Sequence, residues 1–440
     1  MTAPSSRASD AAARRRSGFT LLELMVSLGI GGLAITSIYA ISAASTVTFQ
    51  QQQQVATSQT ALRMAMNQVK RDIARAGYLA TPSASAPGQS CGPIGAPIDD
   101  NAVGGSGRLA AFSRFQNNVI TTGAGNPTGI DPTGHNRANG FTADDIVLMA
   151  NYETSAEYPG VTLIDATDIS VDQHWHSFRR DFTDWFNNAT PAYNGVAFKE
   201  AFRVGRLIRI QTTKRQRHFA TITALTEPND VLPSVHTPVV ITFAPAIPNP
   251  CLSDVTNGWV SPVSAIHYFA RNASGADAER FNTIDPIAQL IREEVLPSDK
   301  VAPLLAPDGT PNSRAVLDYL VEFNLYFLST TGPGPGPPGG TAVLDVATAA
   351  ADNNNNNNQA GTSETAVNTN PERIRSVTID LAVRSPQADP KLPWTQAGCG
   401  PPGPILKCFE VALPDVQPGA ARVRRMRAEV FVPNVGYEDL

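Results

Sequence analysis

The sequence predicts an α+β fold: one long N-terminal helix packed on a mostly antiparallel β-sheet, with long loop insertions. Three observations predict it. An apolar run from Phe19 to Ala44 continues without proline into a polar, periodic stretch that ends near Gly77. Short apolar segments of β type follow. Gly and Pro together make up about 15% of the 440 residues, above their usual share, which favours a loop-rich β body over a helical bundle.

The helix is expected from Phe19 to Ala76, with Gly77 as its C-terminal stop. At 1.5 Å per residue that is about 85 Å. Its first part, 19–44, has the length and composition of a membrane-spanning segment. Its second part, 45–77, carries Leu62, Met66, Val69 and Ile73 at helical spacing, flanked by Met64 and Ala65, and this stripe should pack on the body. Gly29, Gly31 and Gly32 lower helix propensity and would allow local melting.

The remaining residues, 78–440, should form one β-rich body. Residues 81–140 read as loops. Strand candidates are 145–152, 206–212, 218–225, 238–244 and 264–271, then 317–329, 373–386 and 422–436. The aromatic piece 173–188 has a helical pattern. Residues 330–370, with GPGPGPPGG and a six-Asn run, have nothing to bury and read as a surface loop. Hydrophobic residues at 42% and charged residues at 17% mark a chain that folds. A net charge of −5 gives no reason to expect nucleic-acid binding.

Residues 1–18 carry Arg7, Arg14, Arg15 and Arg16 against one acid, Asp10. Basic residues before the apolar run, and none close behind it, put the N-terminus in the cytoplasm and the body across the membrane. One charge, Glu23, interrupts the run. An acid at membrane depth costs roughly 2.5–3.5 kcal/mol on insertion scales and needs a partner. The next basic residue in the chain is Arg63, so the partner must come from elsewhere.

The run Gly18-Phe19-Thr20-Leu21-Leu22-Glu23-Leu24-Met25-Val26 resembles the processing site of type IV prepilins and pseudopilins. The resemblance implies a leader peptide, 1–18, cut after Gly18 by a prepilin peptidase, and N-methylation of the new terminal Phe19. It also implies that Glu23 pairs with the positive N-terminus of a neighbouring subunit in the filament core. In one departure from the pattern Ser17, not a basic residue, precedes Gly18, and the basic cluster sits one residue further back. The stretch Asp72-Ile73-Ala74-Arg75-Ala76-Gly77-Tyr78 resembles the helix end of PilW-type minor pilins, a group related to the J-type pseudopilins of type II secretion. The segments 373–386 and 422–436 resemble the last two strands of that group. Between residues 78 and 373 the likeness is faint, and the middle region is longer than a minimal minor pilin needs.

Four cysteines are present, none in a CxxC. The first pairing expected is Cys399 with Cys408, across a short Pro- and Gly-rich loop; a second, less favoured pairing is Cys91 with Cys251. Bridges suit a body outside the cytoplasm, and four inert thiols are the alternative. His174 and His176 at two-residue spacing could be half a metal site, but no third ligand accompanies them. Asp99-Asp100-Asn101 and Asp144-Asp145 read as turns rather than calcium loops. Arg422, Arg424, Arg425 and Arg427 alternate with apolar residues and read as solvated charges on a strand. No nucleophile elbow, zinc-protease helix, Walker loop or dinucleotide fingerprint occurs, so no cofactor, metal or catalysis is expected.

By resemblance, then, the chain is expected to be a minor pilin that helps to initiate or cap pilus assembly. Its partners would be the prepilin peptidase, other minor pilins, the major pilin, the inner-membrane assembly platform with its ATPase, and the lipid bilayer. Two other readings stay open: a J-type pseudopilin, and a tip adhesin or ligand-binding module that uses the middle region and residues 173–188.

Overall fold

A computed structural model describes residues 19–80, 91, 111–115, 144–172, 175–184, 192–193, 195–226, 239–273, 288–296, 299–306, 309–329, 374–386, 410–412 and 420–433. It has the α+β architecture expected. The chain divides into two compact units, Met1–Thr57 and Ser58–Leu440, and the first helix, α1 (Leu21–Arg75), contributes to both.

In the first unit the large apolar side chains of Phe19 and of α1 from Leu21 to Ile41, and that of Phe49, are exposed. This helix is long and apolar enough to cross a membrane, and none of that window is buried by the protein. Several of its hydroxyl groups are satisfied within the helix. Ser27 donates to the Glu23 carbonyl at 2.6 Å, Ser37 to Leu33 at 2.8 Å, Thr46 to Ser42 at 2.9 Å and Thr48 to Ala44 at 3.0 Å. A helix that meets hydrocarbon must dispose of its polar groups this way, because no water is there to take them. The helix runs unbroken through Gly29, Gly31 and Gly32.

In the second unit the chain continues through short strands β1 (Phe112–Phe115), β2 (Asp145–Ala150), β3 (Tyr158–Pro159), β4 (Val161–Leu163) and β5 (Asp168–Val171). Then come α2 (His176–Phe182), β6 (Thr183–Asp184), β7 (Ala192–Tyr193), α3 (Gly195–Ala201), β8 (Leu207–Gln211), β9 (Arg217–Thr226), β10 (Val239–Ala244) and α4 (Asn249–Leu252). The longest strand, β11 (Trp259–Asn272), leads to β12 (Ala288–Leu296), β13 (Asp299–Pro303) and β14 (Ser313–Asp318). The chain closes with β15 (Leu320–Ser329), β16 (Ile374–Arg384), β17 (Glu410–Ala412) and β18 (Ala420–Phe431).

Where a single sheet was expected, the described residues form two large ones and a β6–β7 pair, all antiparallel. The larger has twelve strands along the path β1-β2-β11-β8-β9-β10-β5-β4, with β12, β13, β14 and β3 branching from β11 and β12. The smaller has the order β15-β16-β18-β17. The candidate strand 317–329 is broken in two at Tyr319, whose φ of +58° reverses the chain locally. Arg384 holds the break: its N–H donates to the Tyr319 carbonyl at 3.0 Å and its guanidinium lies 5.1 Å from the tyrosine ring.

Two cores result. The first joins α1 to both sheets: Leu62, Ala65, Met66, Val69, Ile73 and Ala76 pack with Ile146, Ile266, Leu290, Phe323, Ile379 and Val430. The stripe is therefore buried, while Met64 points to solvent. Each of its large side chains contributes roughly 1.5–3 kcal/mol by leaving water. The second core belongs to the middle region. Tyr158, Phe178, Phe182, Phe198 and Phe202 form an aromatic hub, with ring centroids 4.8–6.2 Å apart, between α2, α3 and the strands β3–β5 and β8–β10. Strand β11 serves both lobes. Its first half, Trp259–Val263, pairs with β8 and β3, and its second half pairs with β2 and β12.

His218, on β9, is buried in this second lobe with its Nε2 3.1 Å from the Pro245 carbonyl and its ring beside Phe243. Burial pushes its pKa down from 6.5, against a smaller upward pull from that carbonyl. The unfolded chain therefore binds a proton below pH 6.5 that the folded chain refuses, so stability falls as pH drops through that range. Denaturation between pH 7.5 and 5.5 should show a steeper loss for the natural protein than for His218→Gln. Equal slopes would show that His218 titrates alike in both states.

Candidate functional site

The helix begins in a reciprocal hydrogen-bond box. Thr20, the residue before the first helical turn, donates its N–H to Glu23 Oε2 at 3.1 Å and its hydroxyl to the same oxygen at 3.2 Å. In return the Glu23 N–H donates to Thr20 Oγ1 at 3.2 Å. Leu24 N–H to the Thr20 carbonyl, 3.1 Å, is the first helical bond. This is the Thr-x-x-Glu capping box, and it satisfies two donors that a helix N-terminus leaves orphaned. The carboxylate also sits at the positive end of the helix dipole. The pattern is written in Thr20-Leu21-Leu22-Glu23, and it gives the carboxylate a hydroxyl and an amide three residues away in addition to the cationic partner expected from elsewhere. Among the described residues both hydrogen bonds to this carboxylate go to Oε2.

The other end of α1 is fixed to the body by charge. Asp72, buried in the first core, accepts from Tyr268 Oη at 2.7 Å, from Arg292 Nε at 2.7 Å and from Gln68 Nε2 at 3.1 Å. The Tyr152 hydroxyl donates to the Asp72 backbone carbonyl at 2.9 Å, taking an acceptor left over where the helix tightens to end. Burial, and then Asp72 itself, push both tyrosine pKa values up, so both stay neutral donors. Burial, the largest single influence, disfavours the Arg292 charge, but the charge and hydrogen bond of Asp72 together with Tyr268 and Tyr152 push its pKa up and keep the guanidinium protonated.

Gly77 ends the helix with φ +78° and donates to the Met149 carbonyl at 2.8 Å. Arg75 reaches the carbonyls of Asn151 at 2.8 Å and Thr154 at 3.2 Å while lying between the rings of Tyr78 and Tyr152. The Asp72-to-Tyr78 stretch is thus a weld between helix and sheet, where composition suggested only a helix stop. Sequence reasoning missed the partners Tyr152, Tyr268 and Arg292 because they lie far away in the chain.

A second buried ion pair ties the two lobes. Arg206 donates from Nε to Glu294 Oε1 at 2.7 Å and from Nη2 to Oε2 at 2.9 Å. Both side chains are only 1% exposed. Arg206 also caps the end of α3 through the carbonyls of Glu200 and Ala201. Arg203 and Glu153 complete the cluster.

The remaining candidates fall as follows. Cys91 and Cys251 are joined in a disulfide, with Cα atoms 5.7 Å apart, which fastens Cys91 to the second lobe. Gly18, Cys399, Cys408, His174 and Asp99–Asn101 lie outside the described residues. His176 starts α2 instead of standing on a strand, and no His, Cys, Asp and Glu cluster among the described residues could hold a metal. Asp144 is buried and structural: its Oδ2 accepts from the Leu325 N–H at 2.8 Å and joins the two sheets.

Two further expectations need correction. Arg425 and Arg427 are not simply solvated: Arg425 pairs with the buried carboxylates of Glu322 and Asp380, and Arg427 with Asp380 at 3.0 Å. The reason is cross-strand register, which sets Arg427 opposite Asp380 on β16. Among the described residues of the 173–188 segment Phe178 and Phe182 are core, not surface, while Trp175 is half exposed.

Residues 13–39 match the family model of the prokaryotic N-terminal methylation motif, a segment that contains Gly18, Phe19, Thr20 and Glu23. The N-terminal signal is therefore of the type IV pilin and pseudopilin kind, and it points to a structural protein processed by a prepilin peptidase and anchored by its apolar helix. No curated protein and no solved structure matches the chain.

Proposed function

We propose that the protein is a minor pilin of a type IV pilus, of the PilW type, which enters the filament by its N-terminal helix and helps to initiate or cap assembly. The observation that carries this reading is the pairing of an exposed apolar half-helix with a first-turn carboxylate, Glu23, held at the helix start by Thr20. Cleavage after Gly18 would place the ammonium of Phe19 at the helix start. The Glu23 carboxylate would then accept from the Phe19 ammonium of a neighbouring subunit, and the two costly charges would neutralise each other within the apolar filament core. The membrane and then other pilin helices would cover the side chains from Phe19 to Phe49. The body would lie in the periplasm before assembly, in keeping with the Cys91–Cys251 bridge.

Two features support the PilW-type assignment within the wider class. The Asp72–Tyr78 stretch that resembles that group is the helix weld, and the terminal segments that resemble its last strands pair as β16 and β18. The related alternative, a J-type pseudopilin, differs in its partners, and deletion separates them: loss of pili supports the first reading and loss of protein secretion the second.

Mass spectrometry of the protein from cells should find a mature N-terminus at methylated Phe19; a chain that retains residues 1–18 beside an active peptidase would overturn the proposal. Glu23→Ala should be exported and folded yet enter filaments less well, by about tenfold or more, the scale of losing one buried charge pair. Unchanged incorporation, measured by immunoblot of sheared filaments, would remove Glu23 from assembly.

A further inference from the structure

The outward face of α1 within the second unit carries one sign of charge. Leu62, Met66, Val69 and Ile73 face the first core. On the opposite side Arg63, Asn67 and Arg71 follow one another at four-residue spacing and are exposed, with Lys70 half-buried beside Arg71. Among the described residues, Arg63, Lys70 and Arg71 make no ion pair. Between Glu23 and Asp72 the sequence holds no acid, although acids outnumber bases in the whole chain, 39 against 34. Asp72 itself points inward, where Tyr268, Arg292 and Gln68 donate to it.

The negative end of the helix dipole accounts for bases in the closing turns, Lys70, Arg71 and Arg75, but its reach ends there. Arg63 stands about three turns before Arg75. Next to it Met64 is 68% exposed. A second copy cannot cover this face in register. Two such helices side by side would set Arg63, Lys70 and Arg71 against their own equivalents, and like charges at close quarters repel. A helix with carboxylates at this level, and an apolar residue over Met64, meets no such penalty.

We propose that this face of α1 selects the neighbouring subunit. It docks the helix of a different membrane-anchored protein that carries carboxylates at the level of Arg63 to Arg71, and it rejects a second copy of this chain in register. The inference rests on the reading of the chain as a filament subunit, because an apolar anchor on each partner is what holds two helices side by side. Attraction favours the right neighbour and repulsion excludes the wrong one, the two ingredients of specificity. Such a rule suits a subunit that starts or caps a filament, which must contact others without repeating itself.

The test mixes the full chain with a charge-reversed copy, Arg63→Glu with Arg71→Glu, each carrying a fluorophore, in detergent micelles. The reversed copy stands in for the acid-bearing helix. Energy transfer between natural and reversed chains is expected at about tenfold lower concentration than between two natural or two reversed chains, and about 0.5 M salt should erase the difference. The neutral variant, Arg63→Gln with Arg71→Gln, should show no preference between natural and reversed chains while melting like the natural protein, which separates lost charge from lost fold. Equal pairing in all combinations, or a preference that persists in high salt, would overturn the proposal. In cells, a photo-reactive residue in place of Asn67 should cross-link to the N-terminal helix of another protein, at a peptide with two or more carboxylates. Exchange of those acids for lysine should restore incorporation of the reversed chain. A cross-link to a second copy, none at all in filaments that hold the chain, or no rescue by the exchange would overturn it. A chain absent from filaments would instead overturn the filament reading, with the micelle preference left to decide whether the charged face selects its neighbour.

Discussion

Replacing Asp72 by alanine should destabilise the body by about 3–5 kcal/mol, the cost of leaving a buried charge without its partner. The stranded group is Arg292, whose side chain is only 16% exposed, and the Tyr268 hydroxyl loses its acceptor as well. Asp72→Asn keeps an acceptor for Tyr268 and should cost less. The effect should be local at first. Hydrogen exchange in residues 58–75 should accelerate before exchange in the second lobe does, because the weld is what joins the end of α1 to β2 and β12. Denaturant titration of Asp72→Ala, Arg292→Ala and the double variant would measure the coupling; an additive result would show that the two charges act independently. If filament assembly pulls on the helix and the body follows, these variants should also detach function from fold, keeping the Phe19 terminus but losing incorporation.

Arg206→Ala should have an effect of similar size, about 3–5 kcal/mol, for the same reason: Glu294 is buried and would keep the Asn312 amide, at 3.1 Å, and the Arg203 guanidinium, at 3.6 Å, in place of a two-point charge pair. The α3 carbonyls of Glu200 and Ala201 would lose their donor at the same time. The double change Arg206→Met with Glu294→Gln removes both charges and keeps much of the volume, so it should recover part of the loss. Thermal melting of the three variants decides the matter. A double variant no more stable than Arg206→Ala would mean that the α3 cap, and not the ion pair, carries the stability.

The helix, its buried stripe and eight of the eighteen described strands were legible because each writes a short-range period into the sequence. Val69 and Ile73 recur with the helix, and the segments 238–244 and 264–271 recur with apolar β content. What escaped notice were the long-range pairs. Strand β12, AQLIREEVL, was overlooked because Arg292, Glu293 and Glu294 break its apolar run, yet two of those three charges are the partners of Asp72 and Arg206. The early half of β11 escaped for a related reason: Pro262 reads as a strand breaker, and here it sits paired opposite Ile208. The Tyr319 reversal has no local sign at all, since it depends on Arg384 far along the chain. At the N-terminus the motif around Glu23 was plain, while its immediate hydrogen-bond partner, Thr20, was hidden by being so close.

The double service of β11 bears on how the body comes apart. Melting the second lobe would strip β8 and β3 from Trp259–Val263, and melting the first would strip β2 and β12 from Ser264–Asn272, so each lobe frays the other's longest strand. The middle region therefore cannot be treated as a detachable bead. Excision between Tyr158 and Gly258 would leave five residues of β11 with bare flanks on both sides, and a single unfolding transition is the natural behaviour of the pair.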